Sequence, residues 1–310
     1  MWNNLHDIGI IGKGSQYKRV SKILKKKNLK FFLYKPNNSK YYDKEKFDII
    51  KRCKIIFILS PNHSHFDYIS KLHKGRYIFC EKPPVNLKSQ IFKLKKINHK
   101  KIYYNFNFRH SLIGQILSNR ERYKLGDLLY GNIIAGHGLG FKKEYAKSWR
   151  SNIKLCKKGV FEIVSVHWID MINYYFDIDK IKKPKLINFL KKGTSYDNSY
   201  CKIKLKNKAE VDIFSSYSSP LINKILLVFK NGIIEKKENF IEIRGPAVNL
   251  NKQKFFITPK LIKKINISSL NDYDVSLEKS VNYFLSTSLK KKIFQKKDFE
   301  CSIESNNLIL

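Results

Sequence analysis

The turn Gly12-Lys13-Gly14-Ser15-Gln16-Tyr17 follows an apolar run, Asp7–Ile11, and precedes a segment of helical length, Ser15–Asn28. Two of the three glycines of a G-x-G-x-x-G dinucleotide fingerprint are in place. Gly12 allows the tight turn, and Gly14 lets a pyrophosphate approach the backbone where Ser15 and Gln16 open a helix. Tyr17 occupies the third glycine position, so its ring must turn away from the strand or tilt the helix. The alternative is a glycine-rich turn that holds no nucleotide. Lys35 ends the second apolar run, about 20 residues beyond the glycines, where an NAD site usually carries an acid for the ribose hydroxyls. A cation there suits the 2′-phosphate of NADP, and on that ground NADP is favoured over NAD. Lys35 is equally one lysine among 54.

Further groups stand where runs end. Ser60-Pro61-Asn62-His63-Ser64-His65 follows the third apolar run, and Cys80-Glu81-Lys82-Pro83 closes the fourth. His167 lies in a long helical segment with Asp170 three residues on, a spacing that shares a helix face and lets the acid orient the imidazole. Four residues before His167 stands Ile163; Glu162, five before, is well round a regular helix and reaches that face only through a helix irregularity. Arg109, Arg150 and Tyr145 are candidate substrate contacts, Arg150 for a phosphate or carboxylate. The alternative for each is an ion pair or surface role. His137, in the turn Gly136-His137-Gly138-Leu139-Gly140, is a loop residue that could face a site. The five cysteines (53, 80, 156, 201, 301) are scattered and form no CxxC pair, which argues against a disulfide framework or a metal site.

The elements that must position these residues read in two blocks. Lys30–Tyr34, Lys54–Leu59, Arg76–Cys80 and Lys101–Phe106 continue the apolar runs begun at Asp7–Ile11. Helical segments Ser15–Asn28, Asp43–Arg52, His65–Lys74 and Leu87–Ile97 separate them. Apolar strands alternating with helices predict a doubly wound parallel sheet, with a ligand site at the carboxyl ends of the strands. After about residue 108 the pattern changes. Helical segments Ser111–Lys124 and Val160–Phe176 flank the strand Leu128–Ala135. Strand-like runs follow at Pro184–Leu190, Ser199–Leu205, Ala209–Ser216, Lys224–Phe229, Gly232–Lys237 and Phe240–Arg244, with a hairpin signal at Asn231-Gly232 and a late helix over Asn271–Leu289. The expected organisation is α/β: a dinucleotide-binding domain over 1–108, then an α+β domain over 109–310 with a mostly antiparallel sheet.

The net charge of +37 first points to nucleic acid or an anionic membrane. Only eight of the 62 basic residues are Arg, the side chain suited to bidentate reading of phosphates and bases. The chain is also rich in Asn, Ile, Phe and Tyr, which share A/T-rich codons with Lys. Solvated lysines over an enzyme core are therefore expected, with neither nucleic acid nor membrane as partner. The hydrophobic fraction of 43% supports a sizeable core and excludes a disordered chain. No apolar window reaches the ~18 residues of a membrane span. The start lacks the pattern of a secretory signal, so a cytoplasmic location is expected.

At Ser60-Pro61-Asn62-His63-Ser64-His65 and Gly75-Arg76-Tyr77-Ile78-Phe79-Cys80-Glu81-Lys82-Pro83 the sequence resembles the Gfo/Idh/MocA family of sugar and polyol oxidoreductases, whose patterns there are (T/S)PNxxH and GKHVxxEKP. Tyr104–Arg109, Trp149-Arg150, Gly159 and His167-Trp168-Ile169-Asp170 resemble later family segments, in register to about residue 180. The resemblance implies a Rossmann domain, an NAD or NADP cofactor, a small-molecule sugar or nucleotide-sugar substrate, and a homo-oligomer, dimer or tetramer. It implies that Lys82 sits beside the nicotinamide and the reacting carbinol, held by Glu81 and Pro83. Ser60, Pro61, Asn62 and His65 would line the cofactor, and His167 would be the general base, with Asp170 or Glu162 as its acid partner. Trp149 and Arg150 fall in the substrate stretch. A low-GC bacterium would use such an enzyme in surface-polysaccharide synthesis. The missing acid at position 163 leaves a non-catalytic sensor or regulatory relative as the alternative.

Overall fold

The computed structural model describes residues 7–36 and 44–310, with the side chains of 269–271 outside the description. Asp43, the expected start of the second helix, lies outside the described residues, as does the stretch 1–6 at the head of the chain. The chain forms two compact units: residues 1–107 with 277–308, and residues 108–276.

In the first unit the elements run β1 (Ile8–Ile11), α1 (Ser15–Lys26), β2 (Phe32–Tyr34), α2 (Lys44–Arg52), β3 (Ile55–Ile58), α3 (His65–Leu72), β4 (Tyr77–Glu81), α4 (Lys88–Lys95) and β5 (Ile102–Asn105). The five strands are all parallel, in the order β2-β1-β3-β4-β5. Every residue of β1, β3, β4 and β5 is buried, the mark of a sheet covered on both faces. The alternation of apolar runs and helices thus gives the expected α/β fold. The order reverses between β1 and β3, so the carboxyl ends of those strands flank a switch point of the kind where ligands bind.

In the second unit the elements are α5 (Leu112–Ser118), β6 (Leu128–Gly136), α6 (Val166–Tyr175), β7 (Ile178–Ile181), β8 (Lys185–Ile187), β9 (Asn198–Leu205), β10 (Glu210–Ser216), β11 (Ile222–Phe229), β12 (Gly232–Lys236), β13 (Phe240–Arg244) and β14 (Leu261–Asn266). The sheet runs β14-β13-β12-β11-β6-β10-β9-β7, with β8 also on β9. Only β6 and β10 are parallel; the other pairs are antiparallel. Strand β9 shows the alternating burial of a sheet with one covered face. The β11–β12 hairpin turns at Lys230-Asn231, one residue earlier than expected, because Gly232 already pairs with Phe229. On β12 the ammonium of Lys236, 2% exposed, pairs at 2.6 Å with Asp272. Asp272 also accepts the Leu112 N–H at the start of α5.

A single boundary near 108 is not the whole division. Helix α7 (Ser269–Leu289) and α8 (Lys296–Ile309) follow, and from residue 277 the chain packs with the first unit, where the sequence pattern puts it with the second. The reason is aromatic. Phe284 lies 5.2 Å from Phe57 and 5.3 Å from Phe79 by ring centroids, with Tyr103 at 6.3 Å. Such pairs add about 0.5–1.5 kcal/mol each beyond their buried area.

Candidate active site

At the carboxyl end of β1, Gly12 takes φ +101° and donates its N–H to the Tyr34 carbonyl at 2.9 Å. A Cβ on Gly12 would stand 2.8 Å from the Leu59 carbonyl and the Ser60 nitrogen, so only glycine lets β1 and β3 approach this closely here. Gly14 precedes α1 with no side chain capping the helix and no acid in its first turn. A Cβ on Gly14 would meet nothing within 4 Å. Open space therefore lies against an uncapped helix N-terminus, which suits a phosphate group. Tyr17 turns its ring onto Phe31, edge-on at 6.3 Å, which resolves the crowding expected at the third glycine position. Lys35 follows β2 directly and is exposed.

After β3, Ser60 Oγ lies 2.7 Å from Ser64 Oγ, and Ser64 Oγ donates to the Pro61 carbonyl. Asn62 is 3% exposed, and neither atom of its amide has a hydrogen-bond partner. A buried amide so placed is accounted for by a polar ligand. Together with the Gly12–α1 turn, it fits a dinucleotide. His65 is different. It is 1% exposed, with Nδ1 2.8 Å from the Pro83 carbonyl and Nε2 2.9 Å from the Ser60 carbonyl. Both nitrogens lie within hydrogen-bond distance of backbone carbonyls; the neutral ring carries one N–H and donates to one of them, which ties His65 to the turns after β3 and β4. Burial pulls its pKa down to about 4, and the two carbonyls only partly oppose that.

Strand β4 ends on Glu81, and the Lys82–Pro83 peptide bond is cis. Glu81 is buried and accepts from Asn105 Nδ2 at 2.7 Å; the Gln16 side chain also hydrogen-bonds it. Ser280 Oγ donates to Asn105 Oδ1 at 2.7 Å and lies 3.0 Å from Tyr103 OH. Burial pushes the Glu81 carboxyl up, while the Asn105 bond and the Lys82 charge pull it back. The network fixes the strand end immediately before Lys82, which is half-buried. Asn105 and Ser280 gave no signal in the sequence, because their partners are remote along the chain.

In the second unit the expected helix Val160–Phe176 is not regular. Residues Phe161–Ser165 form a π turn, and the Val166 N–H bonds back to the Phe161 carbonyl, five residues earlier. In a π turn the i and i+5 positions come into line. Glu162 is therefore carried onto the face of His167, which a regular helix would deny it. Both are 6% exposed. The turn is pinned at both ends. Gly159 enters it at φ +53°, where a Cβ would collide with the Tyr196 carbonyl. Ser165 Oγ lies 3.0 Å from Ser199 Oγ on β9 and 2.9 Å from Ser215 Oγ on β10. Ile163 packs in a core with Tyr145, Cys156, Val160 and Tyr217, so an acid at that position would be buried among apolar groups.

The His167 ring stacks on Phe108 at 4.5 Å. Asp170 is paired with Arg109. Its two oxygens accept from Arg109 Nε at 2.7 Å and Nη2 at 2.6 Å. The two side chains are 4% and 1% exposed. The Arg109 guanidinium lies over the Tyr174 ring at 4.5 Å, and Tyr175 OH donates to the Arg109 carbonyl. Arg109 is thus an internal strut, and its fork is turned to Asp170 instead of a substrate. Tyr145 is likewise core, 3% exposed, its phenol pushed up to about 12 by burial. The Cys156 thiol hydrogen-bonds Glu162, and burial with that carboxylate's charge pushes it well above its ordinary value. Trp149 and Arg150 sit on a short 3-10 turn, the guanidinium 4.5 Å over the indole, with no carboxylate in ion-pair range of Arg150 among the described residues. His137 is exposed, its ring 4.9 Å from that of Tyr217. Among the described residues no cluster of three or more His, Cys, Asp or Glu could hold a metal ion.

A parallel sheet with a glycine turn, an uncapped helix and an orphaned amide at its carboxyl edge is an α/β arrangement that suits a dinucleotide. Residues 9–104 match the model of the oxidoreductase family with an NAD-binding Rossmann fold, Gfo/Idh/MocA. Solved dehydrogenases share the fold of the whole chain. Levoglucosan dehydrogenase, solved with NADH and levoglucosan, is 14% identical with a TM-score of 0.77, over 97% of this chain and 95% of that one. A myo-inositol dehydrogenase from Corynebacterium glutamicum is 17% identical with a TM-score of 0.71, over 97% and 93%. The dehydrogenase MviM from Clostridium difficile is 19% identical with a TM-score of 0.70, over 97% and 96%. No curated protein matches the chain.

Proposed function

We propose that the protein is an NAD(P)-dependent oxidoreductase acting on a secondary alcohol or keto group of a sugar or nucleotide sugar. Gly12, Gly14, Ser15, Gln16 and Asn62 would hold the dinucleotide, with Lys35 at the ribose and NADP preferred. When bound, the nicotinamide supplies or takes up the hydride. The Lys82 ammonium hydrogen-bonds the reacting oxygen and stabilises its developing negative charge. His167 takes the hydroxyl proton in oxidation and returns it in reduction, and Glu162 stabilises the imidazolium so formed. The observation that carries this reading is the π turn at Phe161–Ser165, the helix irregularity by which Glu162 would come into line with His167. Arg150 and Trp149 are the candidate substrate contacts. A homo-oligomer in the cytoplasm, serving surface-polysaccharide synthesis, completes the proposal.

The test is absorbance of the reduced nicotinamide on mixing the purified protein with a panel of sugars and nucleotide sugars. Turnover of at least one supports the enzyme. Tight nucleotide binding with no turnover across the panel favours a dinucleotide-binding sensor or regulatory subunit.

A further inference from the structure

Strand β5 ends on Asn105, which pairs in register with Glu81 at the end of β4 and is wholly buried. Its amide makes two bonds of opposite sense. Nδ2 donates to Glu81 Oε1 at 2.7 Å, and Oδ1 accepts from Ser280 Oγ at 2.7 Å. Ser280, on α7, has one hydrogen to give and spends it on Asn105. The Tyr103 phenol, 3.0 Å from Ser280 Oγ, is therefore the donor in that contact. Tyr103, Ser280 and Asn105 thus form a chain whose hydrogens all point toward the Glu81 carboxyl, and each bond polarises the next in the same direction. All four residues belong to the first unit.

The sense of the chain bears on the charge at its end. An ionised carboxyl only accepts, whereas a neutral one must also donate. Glu81 meets donors: Asn105 Nδ2, the Lys82 backbone N–H and the Gln16 side chain. Reversing the Asn105 amide would turn Oδ1 to Glu81 and suit the protonated acid. The Lys82 N–H cannot reverse, and the Lys82 charge acts with it, so the carboxylate and the observed sense go together. Burial opposes them by pushing the carboxyl up, which leaves the balance to the donors.

We propose that Asn105 is a positioning residue for Lys82: it holds Glu81 as a buried carboxylate, and that anion keeps the adjacent Lys82 ammonium charged. For the role of Lys82 this rests on the oxidoreductase reading. The other titratable groups nearby are His65, Cys80, Tyr103 and Tyr104. Burial takes His65 down to about 4 and pushes Cys80 and Tyr104 well above their ordinary values, so these three keep their charge between about pH 5 and 8.

The experiment uses the full chain without cofactor. Carbon-13 NMR follows the titration of the Glu81 carboxyl, assigned with Glu81→Gln. Acetic anhydride labelling at pH ~7, read by peptide mass spectrometry, follows Lys82 against the exposed Lys22. Asn105→Leu has nearly the same volume and no donor. Its Glu81 midpoint is expected to rise by at least about one unit, the scale of one hydrogen bond to a charged group. Its Lys82 labelling is expected to rise about threefold or more, as the ammonium loses its anion. Asn105→Asp keeps the shape and sets a second carboxyl against Glu81. That pair is expected to share a proton, with its upper titration above the wild-type midpoint, and it decides the matter if Asn105→Leu fails to fold. An unchanged Glu81 midpoint in Asn105→Leu, or two independent carboxyl titrations in Asn105→Asp, would overturn the proposal. So would a raised midpoint with unaltered Lys82 labelling, which would leave Asn105 a structural residue. Neither readout uses turnover, so a sugar panel without turnover would fail the oxidoreductase reading alone.

Discussion

Arg109 offers a sharp test of the distinction between strut and substrate contact. Its guanidinium bonds both oxygens of Asp170 at 2.7 and 2.6 Å, and the two side chains are 4% and 1% exposed. Arg109→Met leaves the Asp170 carboxylate buried without its counter-ion, which costs about 3–5 kcal/mol. At ~2–4 °C per kcal/mol for a unit of this size, the apparent melting temperature should fall by about 6–20 °C. Asp170→Leu should cost a similar amount by stranding the guanidinium. The double variant Arg109→Met/Asp170→Leu removes both charges and should recover most of the loss, with a coupling above ~2 kcal/mol. Thermal unfolding by circular dichroism at pH 7 measures all three, alongside KM for whatever substrate the panel yields. A strut predicts a lowered melting point in both single variants. Wild-type melting in Arg109→Met with a raised KM alone would refute the reasoning and return Arg109 to the substrate.

Three further outcomes are expected. The folded pKa of His65, about 4, lies below its ordinary 6.5, so as pH falls the unfolded chain takes up the proton first. Stability present above pH 6.5 is then lost toward pH 4, by up to about 3 kcal/mol. Denaturant unfolding of wild type and His65→Gln should therefore differ in pH slope within that window, and parallel curves would contradict the assignment. Wild type should bind NADPH more tightly than NADH by fluorescence titration, and Lys35→Glu should move the preference toward NADH at least ~10-fold, the scale of one charge-assisted contact; tighter NADH binding by wild type would remove Lys35 from the site. Glu162→Gln should lower kcat about 10²-fold and displace the pH profile with the melting point little changed, and an unaltered profile would leave Glu162 as a packing residue.

The first unit was legible in the sequence because parallel strands buried on both faces write themselves as apolar runs, and helices must separate them. Gly12 and Gly14 were legible for the same local reason: the chain turns there. The second unit's hairpins were legible at Gly232 but not at β14, where all but one residue is exposed and Lys263 and Lys264 break the apolar pattern. What escaped depended on long-range contact. Asp170 shares a helix face with His167, yet its carboxylate goes to Arg109, 61 residues away in sequence. His65 reads as a polar residue near a ligand, yet its ring sits between the Pro83 and Ser60 carbonyls, which only the folded chain assembles. The π turn at Phe161–Ser165 has no compositional signature; Ser165 and its bonds to Ser199 and Ser215 fix it from the sheet. Phe284 holds the chain from residue 277 onward to the first unit through rings on β3, β4 and β5.

The central claim is that Lys82 and His167 handle the proton of a nicotinamide-linked reaction. Its most direct test is turnover by Lys82→Ala and His167→Ala, measured from reduced-nicotinamide absorbance on the best substrate of the panel, with melting checked for each. The account predicts that both variants stay folded, still bind the cofactor, and lose at least ~10²-fold in kcat. Turnover equal to wild type in both would contradict it.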